Sequence, residues 1–374
     1  MKKIMSISNY IILFLILIIL SVLHNRFEEK RLREGNNEVN ESIKNYLLDG
    51  VSLAKSKKPI LWIHIPYEYN SRKWLSFGSR SSYDLNQPYL YLTVRSIISK
   101  CDDSFTICLI DDNSFKKLIP DWSIDMSCIS NPIVSNIRQL GLMKLLDIYG
   151  GLICPISFLC IKNLIGLYDK GTHGEKMFVC ETNNNNITST TNDFYPSLSF
   201  CGSPKGNNEV KEMIDFIKRT TSDDFTAQSQ FLGIFDTMAS KKINNNKINL
   251  INGLDIGIKT IDEKPIIIED LMSNNYLNIS TSAYGILIDS KSIINRKQYE
   301  WFGRLSERQV LESNTIIGNY LLVNIGDGSN ILEPLKNKPD WVGFYKTPLY
   351  PGLYMVSQPN MLGDDVPRVP YTGR

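Results

Sequence analysis

"NIRQLGLMKLLDIYGGLICPISFLCIKNL", residues 136–164, is the stretch whose reading decides the fold. Up to Tyr149 it is apolar almost all round, which predicts a buried helix rather than an amphipathic surface one. Gly150 and Gly151 then stop it, as glycines do at helix ends. "LICPISFLCI" (152–161) reads as strand interrupted at Pro155, because proline donates no ladder hydrogen bond and so marks an edge, a bulge or a turn. Upstream, "PILWIHIP" (59–66) and "SFTICLIDD" (104–112) are short Ile-rich runs bounded by turn residues, the pattern of strands buried on both faces. "QPYLYLTVRSIISKC" (87–101) lies between them and reads as helix. Strand, helix, strand predicts a mostly parallel α/β sheet with helices on both faces.

Downstream, "KMFVCE" (176–181) reads as a further strand. "NNEVKEMIDFIKRT" (207–220) carries Val210, Met213, Ile214 and Ile217 at the spacing of an amphipathic surface helix. Beyond residue 250, "KPIIIEDL" (264–271) and "YGILIDS" (284–290) read as strands and "SERQVLESNTIIGNYLLV" (306–323) as a helix. After Gly326 come Pro334, Pro339, Pro348, Pro351, Pro359, Pro367 and Pro370, interleaved with Trp341, Phe344, Tyr345, Tyr350 and Tyr354. Prolines exclude regular structure there, while the aromatics predict an extended segment packed on the domain.

The first residues carry a different signal. "YIILFLILIILSVL" (10–23) is free of charge and, extended back to Ile4, has roughly the 20 residues that a membrane-spanning helix needs. It ends without a small-x-small cleavage pattern, so an uncleaved single-pass anchor is expected. Arg26, Lys30, Arg31 and Arg33 outnumber Lys2 and Lys3, which is expected to place the large domain on the cytosolic side of the membrane. The expected organisation is an anchor at 1–25, a polar stem at 26–56, an α/β domain at 57–250 and a C-terminal extension at 251–374.

The 374 residues, 43% apolar and 21% charged with a formal net charge of +2, describe a globular chain and imply no nucleic-acid partner. Seven cysteines fall between Cys101 and Cys201 in apolar surroundings, without a CxxC pair, and read as buried free thiols. The three histidines, His24, His64 and His173, are too few and too scattered for a histidine metal site or a Ser-His-Asp triad.

Three segments together carry a resemblance. "KPILWIHIP", "CLIDD" and "LLDIYGGLICPISFLCIKNL" resemble, in frame and order, the DXD-containing sugar transferases of the initiating mannosyltransferase and capsular polysaccharide transferase type. "SFCGSPKGNNEVKEMIDFIK" is similar to that family's later turn and helix, so the likeness spans about 57–250. Membrane-anchored proteins of giant DNA viruses look similar as well. The resemblance implies a GT-A type fold that binds a nucleotide sugar across the C-terminal ends of its strands, facing a glycan acceptor. In the family, two carboxylates of Asp-x-Asp hold manganese or magnesium against the diphosphate. Here those positions are Pro155 and Ser157, and the family's helix Asp and Arg correspond to Gln139 and Leu142.

Two readings follow. Either the fold is kept for binding or structure without catalysis and without a metal, or a transferase neutralises the diphosphate with Arg138, Lys144 or Lys205. By the resemblance, His64, Asp111, Asp112, Tyr149, Gly150, Gly151, Pro155 and Ser157 would line the nucleotide-sugar site. Asp111 and Asp112 are the candidates for a re-sited metal, and equally for capping the next turn. Glu181, Asp223 and Asp224 are the candidate catalytic acids, against roles as a solvated strand end and helix caps.

Overall fold

The computed structural model describes residues 58–66, 87–126, 129, 133–183, 193–222, 233–296 and 298–326. The expected anchor at 10–23, the expected stem at 26–56, Asp223, Asp224 and the proline-rich segment after Gly326 lie outside the described residues. No helix among the described residues is long and apolar enough to cross a membrane.

The architecture is mixed α/β. Strand β1 (Ile60–His64) pairs in parallel with β2 (Thr106–Ile110), and the register sets Trp62 beside Cys108 and His64 beside Ile110. Helix α1 (Tyr89–Cys101) connects them. Helices α2 (Ser114–Leu118) and α3 (Ile133–Tyr149) lead on to β3 (Gly151–Ile153), which pairs with the other side of β1, again in parallel. Strands β5 (Phe178–Asn183), β6 (Phe194–Ser203) and β7 (Asn249–Ile251) complete a six-stranded sheet in the order β2-β1-β3-β6-β5-β7. Only β6 runs antiparallel to its neighbours. Leu61, Trp62 and Ile63 are fully buried, as expected of a central strand covered on both faces.

Pro155 acts as the sequence predicts and divides its run into two strands. β4 (Phe158–Cys160) leaves the main sheet and pairs antiparallel with β8 (Gly285–Leu287). Helix α4 (Ile165–Gly171) follows β4. Helix α5 (Asn208–Ser222) buries Val210, Met213, Ile214 and Ile217 against α3, and α6 (Ile234–Asn244) packs on β6.

Two of the expectations beyond residue 250 are corrected. "KPIIIEDL" is not a strand: Pro265 makes one isolated bridge to Lys259, then Ile267 donates its N–H to Asp270 Oδ2 at 3.0 Å and α7 (Ile268–Met272) begins. Ile268, Leu271 and Met272 are buried, a helical spacing that outweighs the β-branched run. "SERQVLESNTIIGNYLLV" forms two helices, α10 (Glu307–Glu312) and α11 (Ile316–Gly326), after the short α8 (Ser290–Asn295) and α9 (Glu300–Gly303). Ser313 Oγ donates back to the Val310 carbonyl at 2.6 Å, while Thr315 Oγ1 accepts from Gly318 N at 3.0 Å. Small hydroxyl residues thus end one helix and cap the next. These elements share a core with the first half of the chain, in which Tyr89, Leu90 and Leu92 of α1 meet Leu159, Ile286, Phe302, Val310 and Leu321.

Candidate functional site at the strand ends

β1 leads toward β2 on one side, while its other neighbour, β3, leads away across the sheet. The carboxyl ends of β1 and β3 therefore meet at a topological switch point, where open α/β sheets bind ligands. His64 ends β1, Asp112 follows β2, and Arg138 reaches over from α3. Arg138 Nε lies 3.0 Å from Asp112 Oδ1 and 3.2 Å from Oδ2, with Nη2 2.7 Å from Oδ2. His64 Nε2 lies 2.9 Å from Asp112 Oδ1. Burial alone would raise the Asp112 carboxyl, yet hydrogen bonds from His64 and Arg138 hold it down at about 2.

The imidazole is braced from behind. Phe115 stacks on His64 with ring centroids 5.4 Å apart and planes 17° apart. Gly141 of α3 leaves room for that ring, since a Cβ there would lie 2.8 Å from Phe115 Cε1. Asp111 turns elsewhere: its Oδ1 accepts from Ser114 N at 2.8 Å and from Ser114 Oγ at 2.6 Å, so it fastens the start of α2.

Tyr149, Gly150 and Gly151 shape the chain. Tyr149 OH donates to the Leu118 carbonyl at 2.9 Å, and the ring packs 5.7 Å from that of Trp62. Gly150 (φ 73°) and Gly151 (φ 108°) both lie in the left-handed region. The Gly150 carbonyl accepts from Trp62 Nε1 at 3.0 Å. A Cβ on Gly151 would lie 2.2 Å from the Ile60 carbonyl oxygen. The two glycines are thus required for β3 to come alongside β1.

Pro155 and Ser157 sit in the turn between β3 and β4, where the Pro155 carbonyl accepts from Phe158 N at 3.0 Å. The Ile156 carbonyl accepts from Thr93 Oγ1 at 2.5 Å, and the Ser157 carbonyl from Ile288 N at 3.2 Å. Both flanking elements, α1 and the segment after β8, are therefore tied to this turn.

Glu181 forms a second ion pair at the end of β5. Its Oε2 lies 2.5 Å from Lys259 Nζ and accepts from Gly253 N at 2.7 Å. Lys259 is buried and its ammonium stands 4.1 Å from the centre of the Phe194 ring. Glu181 is a paired acid, which corrects its reading as a solvated strand end.

Asp236, in the first turn of α6, is a group that the sequence does not single out. β6 bulges so that residues 198–200 have no partner between the pairs Cys180–Ser197 and Val179–Cys201. Asp236 Oδ1 accepts from Leu198 N at 3.3 Å, and Gln139 Nε2 donates to the Leu198 carbonyl at 3.2 Å. Gln139 thus holds a strand peptide at the bulge. Burial pushes the Asp236 carboxyl up to about 7. Only tertiary placement could have revealed Asp236 or Lys259, because neither stands in a chemical motif.

These residues do not fit a dication at the switch point. Pro155 and Ser157 offer no anion, Asp111 closes a turn, and Asp112 is held by Arg138 and His64. Among the described residues, no group of three or more His, Cys, Asp or Glu side chains is arranged to hold a metal ion. Compared with known proteins, the sequence matches no family model and no curated protein at a significant level.

Proposed function

We propose that this chain is a membrane-anchored binding protein built on a GT-A-like sugar-transferase fold, which takes a nucleotide sugar without a metal and does not transfer the sugar. The single observation that carries this reading is the closure of Asp112, the acid at the switch point, by Arg138 and His64. A metal at Asp112 would have to displace a bidentate guanidinium, which holds a carboxylate in two parallel bonds. Glu181, the other described candidate acid, is likewise committed to Lys259. In this reading residues 10–23 are the anchor and the large domain faces the cytosol.

A thermal-shift panel of nucleoside diphosphate sugars, with and without manganese, tests the proposal on the purified chain. Binding at one hundred times the dissociation constant adds about 2.7 kcal/mol of stability. The expected result is stabilisation by at least one donor, independent of manganese, with neither hydrolysis nor transfer. Turnover that depends on manganese overturns it in favour of a working transferase. Labelling of native cysteines by a membrane-impermeant thiol reagent on intact cells or virions would overturn the cytosolic orientation.

A further inference from the structure

Helix α11 differs from every other helix among the described residues. Its 11 residues, IIGNYLLVNIG, carry no charged side chain. It packs on α1, α7 and α10 and buries Ile316, Ile317, Leu321 and Ile325, yet Leu322 is 37% and Val323 70% exposed. The Ser273 carbonyl, just past α7, accepts from Ile316 N at 2.9 Å and so ties that loop to the start of α11. Three residues from this tie, Tyr276 is 89% exposed. Two consecutive apolar side chains and a bare tyrosine along one uncharged helix form a patch, which a folded chain rarely leaves to water.

We propose that this face is the docking site of the chain's own C-terminal segment, with residues 341–354 laid over Leu322, Val323 and Tyr276. The segment starts at the patch, because residue 327 follows α11 directly and Val323 stands three residues before the helix ends. Its stretch "WVGFYKTPLYPGLY" (341–354) matches the face in chemistry: it holds five aromatic rings and a single charge, Lys346. Pro348 and Pro351 lack the N–H that a helix or a sheet ladder needs, so these rings gain most from an apolar surface already formed. The reach suffices. Trp341 lies 15 residues past Gly326, about 45 Å when extended at about 3.1 Å per residue, against about 16 Å for the length of α11. Attachment at Gly326 gives the segment an effective concentration on the order of millimolar at the patch, which favours it over a second copy of the chain. A lipid surface is disfavoured, since α11 offers no cation to anionic headgroups. The inference is independent of nucleotide-sugar binding.

Photo-cross-linking of the full-length chain tests the docking. p-Benzoylphenylalanine replaces Val323, where exposure leaves room for the larger side chain, and chains labelled with light and heavy isotopes are mixed before irradiation and peptide mapping. The expected result is a cross-link from position 323 to a peptide within 341–354 of the same isotopic label. Replacing Trp341, Phe344 and Tyr345 together by Ala should abolish it, and these residues lie outside the packed elements, so the domain keeps its fold. A cross-link between light and heavy chains overturns the proposal in favour of self-association, and a lipid adduct in favour of a membrane contact. Irradiation that yields no adduct overturns it as well, because the face is then open to water.

Discussion

The guanidinium of Arg138 spans both oxygens of Asp112, with its shortest contact 2.7 Å, while His64 takes the outer side of Oδ1 at 2.9 Å. One acid is thus shared between a strand end and a helix, and the pair ties α3 to the edge of the sheet.

Breaking that tie should be measurable in stability. Arg138→Ala leaves Asp112 part-buried with His64 as its remaining partner among the described residues, and should cost about 2–3 kcal/mol in urea unfolding near neutral pH. The pH dependence has a definite sign. The folded value of Asp112, about 2, lies below its ordinary 3.8, so its stabilisation is complete above the ordinary value and disappears as pH falls through about 2. Wild type should therefore lose stability over that acid limb more steeply than R138A. Parallel limbs for the two proteins would show that the pair contributes nothing.

Asp236 should behave in the opposite sense. Its carboxyl is raised from 3.8 to about 7, so the folded state holds a proton that the unfolded chain releases. Stability should fall as pH rises between those values and level off above them. Asp236→Asn keeps an oxygen for Leu198 N but cannot ionise. Unfolding midpoints at pH 5 and pH 8 should converge in the variant, with the variant the more stable at pH 8. A wild type that is no less stable at pH 8 than at pH 5 contradicts this.

Two glycines with positive φ should differ sharply. Gly151→Ala drives a Cβ to 2.2 Å from the Ile60 carbonyl oxygen, and should cost roughly 2–4 kcal/mol. Gly174 has φ 73° but nothing within 4 Å of its Cβ position. Gly174→Ala should therefore cost only the intrinsic left-handed penalty, about 1 kcal/mol. Equal melting temperatures for the two variants would contradict the close approach of β3 to β1.

The Glu181–Lys259 pair invites a double-mutant cycle. Glu181→Gln strands a buried ammonium, and Lys259→Met strands a part-buried carboxylate, so each alone should destabilise. Together they should cost less than the sum, with a coupling of about 1–3 kcal/mol. Additive losses would mean that the charges do not depend on one another.

Much of the first half of the chain is legible from pattern. β1, β2 and β5 are apolar runs of strand length, and α5 shows its buried face at 210, 213, 214 and 217, so local periodicity and burial agree. Beyond residue 250 the elements are short. α7 has 5 residues and α10 has 6, less than the window over which a helical period can be told from a strand. Capping by Asp270, Ser306 and Thr315 decides those elements, and caps act over single residues. The candidate site divides likewise. His64 and Asp112 end predictable strands and could be named, whereas their meeting with Arg138 depends on the register of β1 against β2 and on the rotation of α3. Lys259 and Asp236 come from an irregular loop and a helix start whose partners lie 78 and 38 residues away, beyond any local signal.

The turn at Gly150 and Gly151 has a consequence for how such sequences are read. Its glycines answer to the Ile60 carbonyl and the Trp62 indole, both inside the fold. Folding alone therefore fixes these two glycines, whatever the chemistry at Pro155 and Ser157. A Gly-Gly pair at the corresponding place in another chain thus reports on how a strand is brought alongside its neighbour and says nothing about the chemistry at the strand ends.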